Sequence, residues 1–444
     1  MTNIAEQRTA VSDGVATPGV RSRGAAIVLL LFGFMILNYA DKVVVGITGI
    51  PIIKELGITR EQFGVVQSSF FWLFAPGAII GGLLLARVSV RWLMAGVALL
   101  WVVSLMPLMG SISFGMLLAC RVLLGFAEGP ATAMATTVTH SWFAPNKRAL
   151  PTSIVIAGAG VGPVIASPVL TWLLLNHSWH APFVALVTVG IAWAILWILF
   201  GAMGPMAKVH DPAMTVAGAI PDHVPYRRLF ASGTIVGLLV LFFTTYWAIA
   251  IKVSWMPLYL QEGLGYSTRA SGYLVALPYA AAALFQVLVG AGSAWLSSRG
   301  ATSRSSRCLL AAALAAVGGL STILFAVMAP GPLQMLVIIT GASMASAGYG
   351  IAFTAVSDVV PARQRGVAMA VIVAVYSLGG LLAPVVLGRI VDAAPTVAEG
   401  YSRGFIVVGV ILVVGAAVSA LLMNPERDTA KMRAAAGITE GSLP

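Results

Sequence analysis

Apolar residues along this chain come in long unbroken runs. They lack the alternation of a half-buried strand and the one-sided stripe of a surface helix. A helix that crosses a bilayer needs about 20 mostly apolar residues. Twelve such runs stand between polar breaks, at 25–49, 62–86, 92–110, 112–138, 150–175, 182–203, 230–260, 270–297, 308–329, 333–357, 367–390 and 403–423. Most breaks are short and turn-like, such as Arg87–Arg91, Pro145–Arg148 and Pro330–Pro332. One is long. Residues 204–229 carry Gly204-Pro205, Asp211-Pro212, Pro221-Asp222 and Pro225, and read as a linker between two six-helix halves at 25–203 and 230–424. Polar tails remain at 1–24 and 425–444. The pattern predicts an all-α membrane protein of twelve transmembrane helices.

The halves look like repeats. A shift of 216 residues brings Arg91 onto Arg307, Pro145 onto Pro361, Lys147 onto Arg363 and Pro168 onto Pro384. Two six-helix halves repeated in parallel are the plan of a large class of secondary transporters, which hold substrate near the bilayer midplane between the halves.

Composition narrows the picture. Residues of the AVILMFWYC set make up 59% of the 444, and charged residues only 9%, against roughly 25% in a soluble domain. This excludes a soluble enzyme, and disorder as well. Cys120 and Cys308 are too few for a disulfide framework or a zinc cage. The formal charge of +11 invites a nucleic-acid reading, but its placement argues for topology. With the N-terminus inside, only Lys54, Arg60, Arg269, Arg389 and Arg403 fall outside, and Lys42, Arg121 and Lys252 fall within spans. The other basic residues lie on the inner side, as the positive-inside rule requires. The chain is therefore expected in the plasma (inner) membrane as a multi-pass protein with both termini cytoplasmic. The first span reads as uncleaved, because no small-residue cleavage site follows it.

Ionisable groups at membrane depth are costly and mark function more often than packing. Five stand out: Asp41 and Lys42 in the first span, Arg121 and Glu128 in the fourth, and Lys252 in the seventh. The seven-residue spacing puts Arg121 and Glu128 on one helix face about 10 Å apart along the axis, so each is expected to meet a group from another helix. Asp41, about 24 Å in from the inner face, is the expected partner of Arg121, about 13 Å in from the outer face. Burial and a neighbouring cation act in opposite directions on a carboxyl group's proton affinity. Asp41 and Glu128 are thus candidates for carrying protons, and static salt bridges are the competing reading. Lys42 and Lys252 are candidates for attracting an anion, with snorkelling to the interface as the alternative. Gly125-x-x-x-Gly129 and Gly158-x-x-x-Gly162 read first as close helix packing. Tyr39, two residues before Asp41, is a candidate cavity residue. The five histidines show no metal spacing.

Several segments resemble the anion:cation symporters of the major facilitator superfamily. They are Asn38-Tyr39-Ala40-Asp41-Lys42, Phe63-Gly64 through Phe70, Trp72 and Gly81-Gly82, Arg121-x-Leu-Leu-Gly-x-x-Glu128, Trp142-Phe143-x-Pro145 and Trp255-x-Pro257-x-Tyr259-Leu260. The likeness runs over most of 25–425, and the Arg121-to-Glu128 motif is its most specific part. It implies the major facilitator fold and proton- or sodium-driven import of organic anions. It implies proton-linked carboxylates at Asp41 and Glu128, an organising arginine at Arg121, and a substrate-binding cation at Lys42. Lys42 stands where the family usually has Arg, which grips a carboxylate bidentately where Lys acts as a point charge. The loop after the second span reads Gly82-Leu-Leu-Leu-Ala86-Arg87, without the family's acid, and Ala294 stands near the matching position of the eighth span. The inner-gate charge network is therefore in question.

These readings combine into an expectation. The protein imports an organic anion, weakly hydroxylated or aromatic, in symport with protons by alternating access. The weak hydroxylation rests on Ala157-Gly158-Ala159-Gly160 and Phe74, where polar side chains would suit a sugar acid. Proton coupling is assigned to Asp41, Glu128 and Arg121. Substrate contacts are assigned to Lys42, Tyr39, Phe74, Lys252, Trp255, Tyr376 and Ser377. No cofactor, metal or nucleic acid is called for, and a monomer in the bilayer is expected. The competing transport reading is a proton-coupled exporter or antiporter, favoured by Gly158-x-x-x-Gly162-Pro163. A membrane-embedded enzyme would need a nucleophile–base set or metal ligands, and none is visible.

Overall fold

The computed structural model describes residues 18–85, 87–144, 147–208, 224–361 and 364–435. Twelve of its helices are long and apolar enough to cross a membrane. They are α1 (Ser22–Ile47), α2 (Arg60–Leu85), α3 (Val90–Met109), α4 (Phe114–Trp142), α5 (Leu150–Asn176), α6 (Ala181–Phe200), α7 (Gly233–Ser254), α8 (Thr268–Ser298), α9 (Arg304–Val327), α10 (Pro332–Val359), α11 (Arg365–Asp392) and α12 (Val397–Leu422). Each matches one apolar run. The largest differences are at α7, which stops at Ser254 and not near 260, and at α12, which starts six residues before 403. Beyond α7, Met256-Pro257-Leu258 forms a separate short turn. Pro257 has no N–H to continue the ladder. Thr396 starts α12 early by accepting the N–H of Glu399 at 3.2 Å, an N-cap that orders the first turn.

Two spans are broken where chemistry gathers. In α2 the regular helix stops at Ser69 and resumes at Phe74. Pro76 cannot donate to the carbonyl of Trp72, four residues back, which loosens that turn. In α4 the helix stops at Glu128 and resumes at Ala131, around Gly129-Pro130. Small residues let these helices touch. A Cβ on Gly125 or Gly129 would collide with the α2 backbone at Phe70 and Phe74, and one on Gly158 or Gly162 with α1 at Phe32 and Ile36. The packing reading of both G-x-x-x-G motifs is what the helices use.

Packing follows the two halves. In the first, α1 lies on α5, α2 on α4 and α3 on α6. In the second, α9 lies on α10 and α12, and α8 on α10. The halves meet along α2–α11, α5–α8 and α1–α7. We call the face that holds the starts of α1 and α7 the terminal face, and the opposite one the distal face. At the distal face a polar seam joins the halves. The Asp392 carboxylate accepts the backbone N–H groups of Arg60 and Glu61 at 3.2 and 2.7 Å. Arg389 pairs with Glu61 at 2.6 Å, and Arg60 with Glu262 at 3.1 Å. Near the terminal face the polar contacts run within single halves. Arg91 donates to the Ile198 carbonyl, and Arg307 pairs with Asp358. Asp358, on α10, supplies an acid that the loop motif lacks. In the first half, Ala86 of the α2–α3 loop and Pro145 of the α4–α5 loop lie outside the described residues.

The segment after α12 folds back as a helix, Pro425–Ala435. Asp428 caps the start of α7, accepting from the Thr234 N–H and hydroxyl at 2.7 Å each.

Candidate functional site

Four of the five ionisable residues singled out at membrane depth come together in the first half, on α1 and α4. Asn38 and Lys42 are four residues apart and share a helix face. The Lys42 ammonium donates to Asn38 Oδ1 at 2.7 Å and forms an ion pair with Glu128 Oε2. It stands 4.4 Å from the centroid of the Tyr39 ring and 5.7 Å from that of Phe70. Glu128 can reach it because α4 breaks immediately afterwards and α2 gives way at Phe70. Asp41, 3% exposed, lies within electrostatic reach of Glu128, Lys42 and Arg121.

Asp41, the expected partner of Arg121, acts on it through space, and the guanidinium's hydrogen bond goes to another group. The Arg121 guanidinium donates to Gln67 Oε1 on α2 at 3.4 Å and lies 5.0 Å over the Phe70 ring. Asp41 and Glu128 both act on it through space. Phe70 therefore lies within cation–π distance of both cations. Capacity is left over in this cluster. Glu128 Oε1, Arg121 Nε and Nη1, Asn38 Nδ2 and Gln67 Nε2 are buried without a protein partner. Buried polar atoms are seldom left unmatched, so a cluster with this much spare capacity is suited to receiving a group from outside.

The remaining candidates divide. Tyr376 on α11 stacks on Tyr246 of α7 with centroids 4.4 Å apart, and Phe71 of α2 meets Tyr246 edge-on at 5.6 Å. These rings form a wall between the halves. Phe74 packs at the end of that wall against Phe70 and Phe71. Ser377 is buried, and its hydroxyl is committed to the Val373 carbonyl at 2.7 Å. Trp255 lies away from the charges. It is fully buried at the distal seam, edge-on to Phe63, with its indole N–H on the Pro384 carbonyl at 3.2 Å. Lys252 is also separate, in the second half on Ser346 and Tyr279. Gln67, Tyr279 and Tyr349 were not singled out from the sequence. Tyr349 lies 6.1 Å from Tyr376, centroid to centroid. An isolated Tyr in an apolar span looks like an interfacial residue, but Gln67 was a visible signal, a polar side chain inside a span.

The arrangement is a buried charge cluster in one half, facing an aromatic wall across the seam of a two-half helical bundle. The Major Facilitator Superfamily model matches residues 30–384. The chain belongs to the major facilitator superfamily. Among curated relatives, the hexuronate transporter of Bacillus subtilis is 25% identical over 57% of this chain and 60% of its own length. The chain thus spans less than two thirds of that relative. The D-galactonate transporter of Escherichia coli O6:H1 is 24% identical over 92% of this chain and 97% of its own. The fold is shared with a bacterial homologue of the human lysosomal transporter Spinster, solved inward-facing and occupied. That structure has a TM-score of 0.77 and 20% identity, covering 94% of this chain and 99% of the other. The relatives carry small organic anions, which agrees with the resemblance drawn from the sequence.

Proposed function

We propose that this transporter imports an organic carboxylate together with protons, by alternating access, and that the Lys42–Glu128 ion pair is the coupling element. The supporting observation is the pair itself. A cation held by a buried carboxylate is not free to hold a substrate carboxylate. A proton on Glu128 neutralises the acid and releases Lys42, and the substrate then takes the vacated place. Loss of the proton restores the pair and expels the anion. Removing one member of a buried ion pair without compensation costs about 3–5 kcal/mol, so proton and substrate bind best together. Asp41 and Arg121 surround the pair and set its balance.

With the termini cytoplasmic, the joined distal face is the outer one, and the molecule is closed to the outside. The aromatic wall of Phe70, Phe71, Tyr246 and Tyr376 offers ring faces more than hydrogen-bonding groups. It suits an aromatic or short-chain carboxylate better than the sugar acids for which the relatives are named. The test is uptake into proteoliposomes of a carboxylate panel with and without an inward proton gradient. Accumulation of an aromatic monocarboxylate only when the gradient is present supports the proposal. Full accumulation driven by sodium alone at symmetrical pH contradicts it.

A further inference from the structure

Among the described residues, the second half holds a buried cation that no acid answers. Lys252, on α7, is 7% exposed. Its ammonium donates to Ser346 Oγ on α10 at 3.2 Å and stands 4.5 Å from the centroid of the Tyr279 ring on α8. Neither neighbour carries a compensating charge, and no acidic side chain among the described residues acts on the ammonium. An unpaired buried charge is strongly destabilising. An ammonium has three donors, so two remain after Ser346. The Tyr279 hydroxyl, also buried, has no hydrogen-bond partner. Donors are left over at both side chains.

Lys252 also lines a cavity walled by α7, α9, α10 and α12, all from the second half. Thr245, Thr322 and Ser346 give it polar atoms, and Ile338 and Phe405 are among its apolar walls. A water-sized sphere can move its centre through about 30 Å³ there, where a single water needs roughly 10–15 Å³. That is room for one compact group.

We infer that Lys252, Ser346 and this cavity form an anion subsite for one compact, singly charged group, separate from the Lys42 cluster and carried by the second half alone. The group is either a free halide or the far carboxylate of a substrate with two charges. In the second case the inference rests on the anion-transport reading above. In the first it stands without it.

Thermal unfolding of the purified full-length protein tests the inference without requiring transport. Chloride or bromide replaces sulfate at constant ionic strength. Generic salt effects favour sulfate as the stabiliser, so a saturable rise of several degrees in halide marks a site. Lys252→Met should abolish the rise, Ser346→Ala should weaken it severalfold, and Lys42→Ala should leave it in place. A dicarboxylate and a monocarboxylate of equal length identify the source. If the dicarboxylate stabilises more, loses that advantage in Lys252→Met and displaces bromide, the group is the substrate's second charge. If bromide binds with no such competition, it is a free halide. The inference fails if the wild type responds to neither halide nor dicarboxylate. It fails equally if the response persists at full strength in Ser346→Ala and in any folded Lys252→Met.

Discussion

The two halves share a scaffold and differ in buried charge. The first gathers two acids and two bases, Asp41, Glu128, Lys42 and Arg121, around Phe70. The second buries Lys252 in its spans beside Tyr279, with no acid among the described residues paired to it. The 216-residue shift that aligns the prolines sends Asp41 and Lys42 to Pro257 and Leu258, and Lys252 back to Ile36. Helix packing has been repeated and the chemistry has not. A cluster of matched charges changes its balance when one proton arrives, which suits coupling. A lone cation beside a small cavity has no internal partner to exchange, which suits holding. The division of labour proposed here puts coupling in the first half and an aromatic, cationic surface in the second.

The contrast can be broken most severely at Lys42. Lys42→Ala should abolish thermal stabilisation by an accepted carboxylate, and Lys42→Arg should keep part of it, because the charge stays while the geometry changes. The alanine variant also strands Glu128. Adding Glu128→Gln should recover much of the lost stability, since removing both partners costs less than removing one. Normal substrate binding in Lys42→Ala would move the anion site to Arg121 or Lys252.

The seam between the halves offers the next two tests. A Cβ on Gly64 would meet the Pro384 carbonyl of α11. Gly64→Val should therefore force the distal face apart, read as new labelling of a cysteine placed near Gly388 and a fall in transport. Asp392→Ala removes the acceptor for two N–H groups at the start of α2. At about 0.5–2 kcal/mol for a lost cap, it should shift the closed-to-open ratio roughly 2- to 30-fold in the same labelling assay. Indifference to both variants would mean that the seam does not hold the closed state.

The smallest effect is expected at Asp428, outside the membrane. Burial alone raises its carboxyl, but hydrogen bonds from Arg427 and Thr234 outweigh it and leave the group below its ordinary value. A depressed carboxyl contributes stability that is full above the unfolded value, about 3.9, and is lost as pH falls through the folded one. Asp428→Asn should lower Tm by a few degrees at neutral pH, and the gap should close below about pH 4. A gap independent of pH would assign the effect to packing.

The spans were legible because hydropathy summed over 20 residues outweighs local ambiguity. The four charges of the cluster were equally legible, since nothing in an apolar helix hides an Asp or a Lys. Their pairing was not. Depth along a helix says nothing of its rotation or of a neighbour's kink, so Arg121 was matched with Asp41 when Gln67 takes its hydrogen bond. Nor does sequence show the surroundings of Trp255, assigned above to the substrate contacts. Its ring points into the distal seam, where Phe63 and Pro384 hold it. The motif acid missing from the loops left the terminal-face network in question, and Asp358 could not be matched to Arg307 before the spans were folded. Tyr279 and Tyr349 became visible only when the halves were brought face to face.

The central claim is that a proton on Glu128 exchanges with substrate on Lys42. Proteoliposomes containing Glu128→Gln test it most directly, with counterflow exchange of a labelled carboxylate measured beside gradient-driven accumulation. A permanently neutral Glu128 leaves Lys42 free, so exchange should persist near the wild-type level while accumulation falls to equilibration with the outside. Accumulation at the wild-type level would contradict the claim and leave the Lys42–Glu128 pair a structural tie between α1 and α4.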